Sequence, residues 1–365
     1  MRRHLTTLAL SLALAAMSQA GDWPLHRGNP TQTGVSAEKL PDKLDVLWEY
    51  KTKDVMEATP VVVAGVVYVG GYDSYFHAVD LLTGAMKWKT KLGPVKAPAA
   101  FAKGKLYVGD ADGKFYRLDA ETGKIEWTFE AEGEITAAPN FAGDTVLIPS
   151  HDASLYCLDT ATGKKVWDFK TEGPIYGGVA VADGKTYVAG CDSQMHAVDV
   201  KTGKSFGSID LKGQSGSAAA VDGDTLYLGT MSNQVLAIDL KTLKIIWEFE
   251  APKRRQGFYG SAALTDTTVL LGSRDSKMWA IDRKTGKAKW DFLTDNRIDS
   301  SAVIAHGVAY FGSFDKKVYV VDVATGKKRE DIDVDGAVIG SPAVADGRLI
   351  VVTEKGTVYC FGAKK

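Results

Sequence analysis

The chain has 365 residues, 45% of them hydrophobic, and 44 Lys and Arg stand against 45 Asp and Glu for a formal charge of −1. That balance lacks the basic footprint of nucleic-acid binding. Three scattered cysteines, an odd number, argue against a disulfide framework.

Met1 to Ala20 reads as a secretory signal: Arg2 and Arg3, an apolar run from Leu8 to Met17, then Ser18-Gln-Ala20 as a small-residue cleavage site. The expectation is Sec-type export to the periplasm or beyond, with cleavage after Ala20. No cysteine follows that site, so a lipoprotein is not expected. Loss of the two arginines takes the formal charge from −1 to −3. No later apolar segment reaches membrane length, so no transmembrane segment is expected. Residues 21–45 form a lead-in, and 46–365 read as one domain.

That domain is a repeat. Asp80-Leu-Leu-Thr-Gly84 is followed by Trp88, Asp119-Ala-Glu-Thr-Gly123 by Trp127, and Asp159-Thr-Ala-Thr-Gly163 by Trp167. The phrase returns from Asp199, Asp239, Asp282 and Asp322, at intervals of 39, 40, 40, 40, 43 and 40 residues. A fixed period of this size signals a repeat architecture. Within the unit ending at Asp119, Ala99–Ala102, Leu106–Gly109, Phe115–Leu118 and Ile125–Phe129 are short β-branched and aromatic runs separated by turn residues. They predict strands A to D of a small antiparallel sheet, which must stack on its neighbours to bury its faces. The Thr-Gly pair marks the turn from C to D, and the tryptophan fills the space between sheets. Where Gly207 and Glu330 replace that tryptophan, poorer packing is expected.

After Asp322 one further A-B-C set ends at Phe361, and Gly362 stands where the next aspartate would fall. The missing strand D is Leu47-Trp-Glu-Tyr50, since Trp48 precedes Trp88 by 40 residues. The reading is all-β: an eight-bladed β-propeller of four-stranded antiparallel blades, closed by the N-terminal strand pairing into the C-terminal blade, which removes the open edges.

Tyr116-Arg-Leu-Asp-Ala-Glu-Thr-Gly-Lys124 and Tyr156-Cys-Leu-Asp-Thr-Ala-Thr-Gly-Lys164 resemble the repeats of the pyrroloquinoline-quinone (PQQ)-like propeller superfamily, over roughly residues 46 to 362. That family includes PQQ-dependent alcohol and glucose dehydrogenases and the non-enzymatic BamB of outer-membrane protein assembly. For its dehydrogenases the resemblance implies a quinone at the channel mouth, stacked on a tryptophan, often capped by adjacent cysteines, beside Ca²⁺. This chain has no adjacent cysteines, and six of its eight tryptophans hold the repeat position. Trp279 takes the aromatic position of strand C, leaving Trp23 in the lead-in. His77 and His196 also take that aromatic position and read as structural. Cys157, Cys191 and Cys360 read as buried apolar side chains. Asp331, Asp333 and Asp335 imitate half a Ca²⁺ loop, but its twelfth position is Pro342, and Ile332 and Val334 alternate as in an edge strand. Whether they bind Ca²⁺ stays open at this point.

Counting 23 residues back from each repeat aspartate, or from Gly362, selects one position per blade at the start of strand A: Glu57, Lys96, Thr136, Tyr176, Gly216, Tyr259, Asp299 and Ile339. The mixture of acids, base and tyrosines at matched register marks a candidate binding surface. The 43-residue interval adds Lys253, Arg254 and Arg255 beside Phe258 and Tyr259, a candidate docking point for an acidic segment, carboxylate or anionic glycan. The expected function is a monomeric, exported, non-catalytic module that binds a protein or extended ligand on its channel face without a cofactor. The alternative is a quinoprotein dehydrogenase using PQQ with Ca²⁺, or a sugar-binding enzyme.

Overall fold

The computed structural model describes residues 21–252 and 256–364. The signal segment and the basic triplet Lys253, Arg254 and Arg255 therefore lie outside the described residues. Eight sheets stand in a ring, each built of strands A, B, C and D in antiparallel order from the axis outwards. Blade 1 runs Val61–Val63, Val66–Gly70, Tyr75–Asp80 and Met86–Lys91, and the next six blades follow in chain order. Blade 8 takes Ala343–Ala345, Arg348–Val352 and Thr357–Gly362 from the C-terminal end and Asp45–Lys51 from the N-terminal end. Trp48 faces Cys360, Tyr50 faces Val358 and Asp45 faces Gly362, so the ring closes in the register that the repeat predicts. Blade 7 departs from four strands: Val35–Ser36 of the lead-in pairs in parallel with Val303–Ala305 as a fifth. No described helix is long and apolar enough to cross a membrane.

The repeat phrase builds one device six times. In blade 1, Asp80 Oδ1 accepts from the Thr83 N–H at 2.9 Å and the Thr83 hydroxyl at 2.8 Å, and Gly84 adopts φ +71°. The Thr83 hydrogen bonds hold the Asp80 carboxyl below the usual carboxylate range. The glycine also clears room, because a Cβ at Gly84 would lie 2.7 Å from the Trp48 ring of the preceding blade. The Trp48 indole N–H then donates to the Leu81 carbonyl at 2.9 Å. Trp88 treats blade 2 in the same way, with Gly123 under its ring and the Ala120 carbonyl at 3.1 Å. Each of these six junctions thus covers an indole at least in part and satisfies its one donor.

The two exceptions do not leave gaps. At the junction of blades 4 and 5, Gly207 lacks the indole, but Leu243 replaces the turn glycine and its Cδ1 reaches to 2.9 Å of where a Gly207 Cβ would stand. At the junction of blades 7 and 8 there is no C–D turn to cover, because strand D belongs to the other end of the chain. There the Glu330 carboxylate accepts from the N–H of Leu44 at 3.4 Å, just before the incoming strand. The expected loosening at both positions is corrected by these partners.

Strand C aromatics fix the B–C turns. Tyr156, Tyr319 and Trp279 donate to Asp152, Asp315 and Asp275 four residues earlier, at 2.7, 2.7 and 3.2 Å. His77 and His196 meet Asp73 and Asp192 in the same way, at 3.1 and 2.8 Å, and are structural. Cys157 and Cys360 are buried and all three thiols are free; burial pushes the Cys360 thiol up to about 12.

The lead-in, which carries no repeat, circles the far end of the axis as a collar. Trp23 exchanges backbone hydrogen bonds with Val62 of blade 1. The carbonyls of Pro24, Pro30, Thr31, Thr33 and Gly34 then accept in turn from the N–H groups of Phe101, Val181, Val221, Leu264 and Ile304, in blades 2, 4, 5, 6 and 7. In blade 3, Asn140 donates to the Pro30 and Val179 carbonyls, both at 2.8 Å, and accepts from Phe141 N–H. The chain thereby satisfies inner-edge donors that would otherwise be buried without partners.

Candidate functional site

The open end of the axis holds a cavity of about 160 Å³. Glu57, Lys96, Thr136, Tyr176, Gly216, Tyr259, Asp299 and Ile339 all line it, so the structure brings the eight register-matched positions into one mouth. Two residues further along each strand A lies a deeper ring: Thr59, Pro98, Ala138, Gly178, Ala218, Ser261, Ser301 and Ser341. His26 of the lead-in forms part of the floor.

The mouth is stiffened by two clusters. On blades 6 and 7, Arg274 grips Asp299 through Nε and Nη2, both at 2.8 Å, and its guanidinium lies 3.4 Å over the Tyr259 ring. The hydrogen bonds that Arg274 donates to Asp299 raise its pKa further. Arg297 adds a longer contact to Asp299 at 3.8 Å and covers Phe314. On blades 1 to 4, the Tyr72 hydroxyl donates to Glu57 at 2.9 Å, and burial together with that bond pushes its pKa up. Lys96 lies over Tyr72 and 3.9 Å from Glu134. Thr136 meets His151 Nε2 at 2.7 Å, and His151 meets the half-exposed Tyr176 edge-on at 4.4 Å. Burial holds the His151 pKa below the ordinary histidine value, against the pull of Glu134.

Tyr72, His151, Met231, Arg274 and Phe314 form an outer set that the register count at 23 misses. They stand eight residues before their repeat aspartates, at the B–C turns. The N–H of each bonds the incoming D–A connection, as in His151 to Glu134 and Arg274 to Gly257. A second count at eight residues was the available signal. Phe258 corrects an expectation: it is fully buried in the core between blades 5 and 6, against Gly229, and offers no surface to a partner. Its spacing beside Tyr259 places consecutive side chains on opposite faces, one in and one out.

Among the described residues no three His, Cys, Asp or Glu side chains converge as metal ligands. Asp331 pairs with Lys317 and Lys328 at 3.2 and 3.1 Å, and Asp335 accepts from the Thr353 and Thr357 hydroxyls. Asp333 lies in strand D of blade 7, opposite Lys317. These partners account for two of the three carboxylates and match the edge-strand reading.

A self-closed ring of eight repeats with a mixed polar mouth defines an eight-bladed PQQ-like β-propeller. The family described as "Outer membrane protein assembly factor BamB" matches residues 77–206 and 295–365, more than half of the chain, and the chain belongs to that family. The fold is shared with BamB from Moraxella catarrhalis (18% identity, 88% of this chain and 100% of that chain, TM-score 0.77). It is shared also with quinohemoprotein alcohol dehydrogenase from Comamonas testosteroni (18% identity, 96% and 82% covered, TM-score 0.84). A europium-containing methanol dehydrogenase is similar too (16% identity, 94% and 98% covered, TM-score 0.78). A comparison with curated proteins gave no match. At such identities the likeness establishes the fold, and the chemistry must come from the residues.

Proposed function

We propose that this chain is an exported, non-catalytic binding module of the cell envelope, a monomer that holds a protein segment or another extended ligand across the channel mouth. The observation that carries this reading is the convergence of eight register-matched but chemically different side chains on one opening. Tyr259 and Asp299 are held by Arg274, and Tyr176 packs against His151, so the contact groups are ordered before a ligand arrives. Such preorganisation lowers the entropic cost of binding. The basic triplet 253–255 belongs to the same reading, because it leads directly into Tyr259. A family that carries the BamB description supports a protein partner.

The dehydrogenase alternative asks for a tryptophan platform, vicinal cysteines and a carboxylate-rich metal site. The residues present do not fit. No tryptophan lines the mouth, and six of the seven in the ring lie at blade junctions or in strand C contacts that occupy their indoles. The seventh, Trp290, does the same at the Val323 carbonyl, and Trp23 is buried against Gly28 in the lead-in. The test is direct. Purified protein is expected to show no quinone absorbance, no dye-linked alcohol oxidation and an unchanged melting temperature with PQQ and Ca²⁺, since a ligand of the folded state must stabilise it. A stoichiometric quinone signal overturns the proposal.

A further inference from the structure

We infer that the axial cavity is a carboxylate-binding site, with Arg27 beneath its floor as the cationic anchor; the inference rests on the mouth being a binding face and names the chemistry that enters it.

Arg27 is fully buried in the lead-in. Its Nη2 donates to the carbonyls of Ala262 and Ala302, whereas Nε and Nη1 have no protein partner. Ala262 and Ala302 directly follow Ser261 and Ser301 of the deeper ring, so the guanidinium is bound to the same two segments that carry the cavity wall. The chain makes room for it at Gly34, where a Cβ would overlap the guanidinium. More exposed arginines in this protein are charge-paired: Arg117 with Glu126, Arg274 with Asp299, Arg283 with Asp222. The most buried one has only carbonyl dipoles. Burying an ion costs several kcal/mol unless an opposite charge and hydrogen bonds compensate.

The wall above is built to donate. The hydroxyls of Ser261, Ser301, Ser341 and Thr59 each accept a backbone N–H from the preceding blade, at 3.0, 2.8, 3.1 and 3.0 Å. Among the described residues none of the four donates its own proton to a protein acceptor, and all four are buried and line the cavity. Neutral His26 has an unpartnered Nδ1 at the floor. Hydroxyl donors over a cation select an acceptor with negative charge, and a carboxylate is the compact group that offers both. About 160 Å³ matches roughly five water molecules at about 30 Å³ each, enough for a small free acid or the last residue of a polypeptide. Both sources present the same group.

The test titrates the mature protein with succinate, with trialanine bearing a free C-terminus, and with trialanine amide, following the Arg27 Nε–H signal by NMR. Saturable shifts with succinate alone identify a free acid, and shifts with free trialanine identify a chain terminus; the amide is expected to do nothing. Ser301→Ala, checked for folding by its melting curve, is expected to weaken the response at least fivefold. Arg27→Gln is secondary because it also removes the buried contacts by which the lead-in holds Ala262 and Ala302. Silence with both acids, or an equal response to the amide, overturns the inference. Cross-linking of a partner at Tyr176 is scored separately: if it persists while the acids are silent, only the floor site falls, and if it fails, the mouth reading falls.

Discussion

Gly207 and Leu243 exchange the parts that a tryptophan and a glycine play at six other blade junctions. Leu243 Cδ1 fills the space in front of Gly207, and Leu243 takes φ +53° where the repeat has glycine. The two substitutions are therefore one compensated change across an interface.

Gly207→Trp alone is expected to destabilise the protein, because the indole meets Leu243 and Gly207 itself sits at φ +140°. Leu243→Gly alone removes packing but relieves a left-handed leucine, a conformation that costs about 1–2 kcal/mol. The double variant rebuilds the common junction. Denaturant unfolding should give a favourable coupling of about 1–3 kcal/mol between the two sites. Simple additivity would show that the positions do not pack against each other.

The collar has its own weak point at Asn140. Asn140→Ala leaves the Pro30 and Val179 carbonyls and the Phe141 N–H without their side-chain partner. The expected loss is about 2–4 kcal/mol, from buried polar groups left unpaired. Amide exchange should accelerate at residues 31–34 before it does so in blade 3. A variant as stable as the parent would mean that the lead-in contributes little to closure.

Much of this was legible in the repeat. Spacing alone pointed to eight blades, to closure by the strand around Leu47–Tyr50, and to the mouth positions, because each follows from a register that every blade shares. The collar was not legible. It binds mainly through main-chain carbonyls, which leave no side-chain signature. Gly207 and Glu330 looked like losses because each was read within one blade, whereas their partners, Leu243 and Leu44, lie in the next blade and at the other terminus. Phe258 was misread for a similar reason: composition marks an aromatic, but only the path of the D–A connection decides whether it points inward.

Acid sensitivity should pass through His26. Burial first, and the neighbouring Arg27 second, lower its pKa from 6.5 to about 3, its open side facing only the cavity. Below pH 6.5 the unfolded chain takes up a proton that the folded protein refuses, so stability falls as pH drops from 6.5 towards 3. His77 and His151 are shifted in the same direction. The turn aspartates, lowered in the fold, add their loss only as pH falls below 3.8. His26→Gln is expected to flatten the slope between about pH 6 and pH 5 by up to about 1.4 kcal/mol per unit. Equal slopes would show that His26 is protonated in the fold.

The most direct measurement of the mouth's role is site-directed photo-cross-linking in the cell envelope. A benzophenone amino acid replaces Tyr176 at the mouth or, as a control, exposed Phe206 on the outer strand of blade 4. The mouth probe is expected to capture one discrete partner, the control none, and Asp299→Ala should reduce the capture at least fivefold. Equal capture from both positions, or capture indifferent to Asp299, would contradict a binding face at the channel mouth.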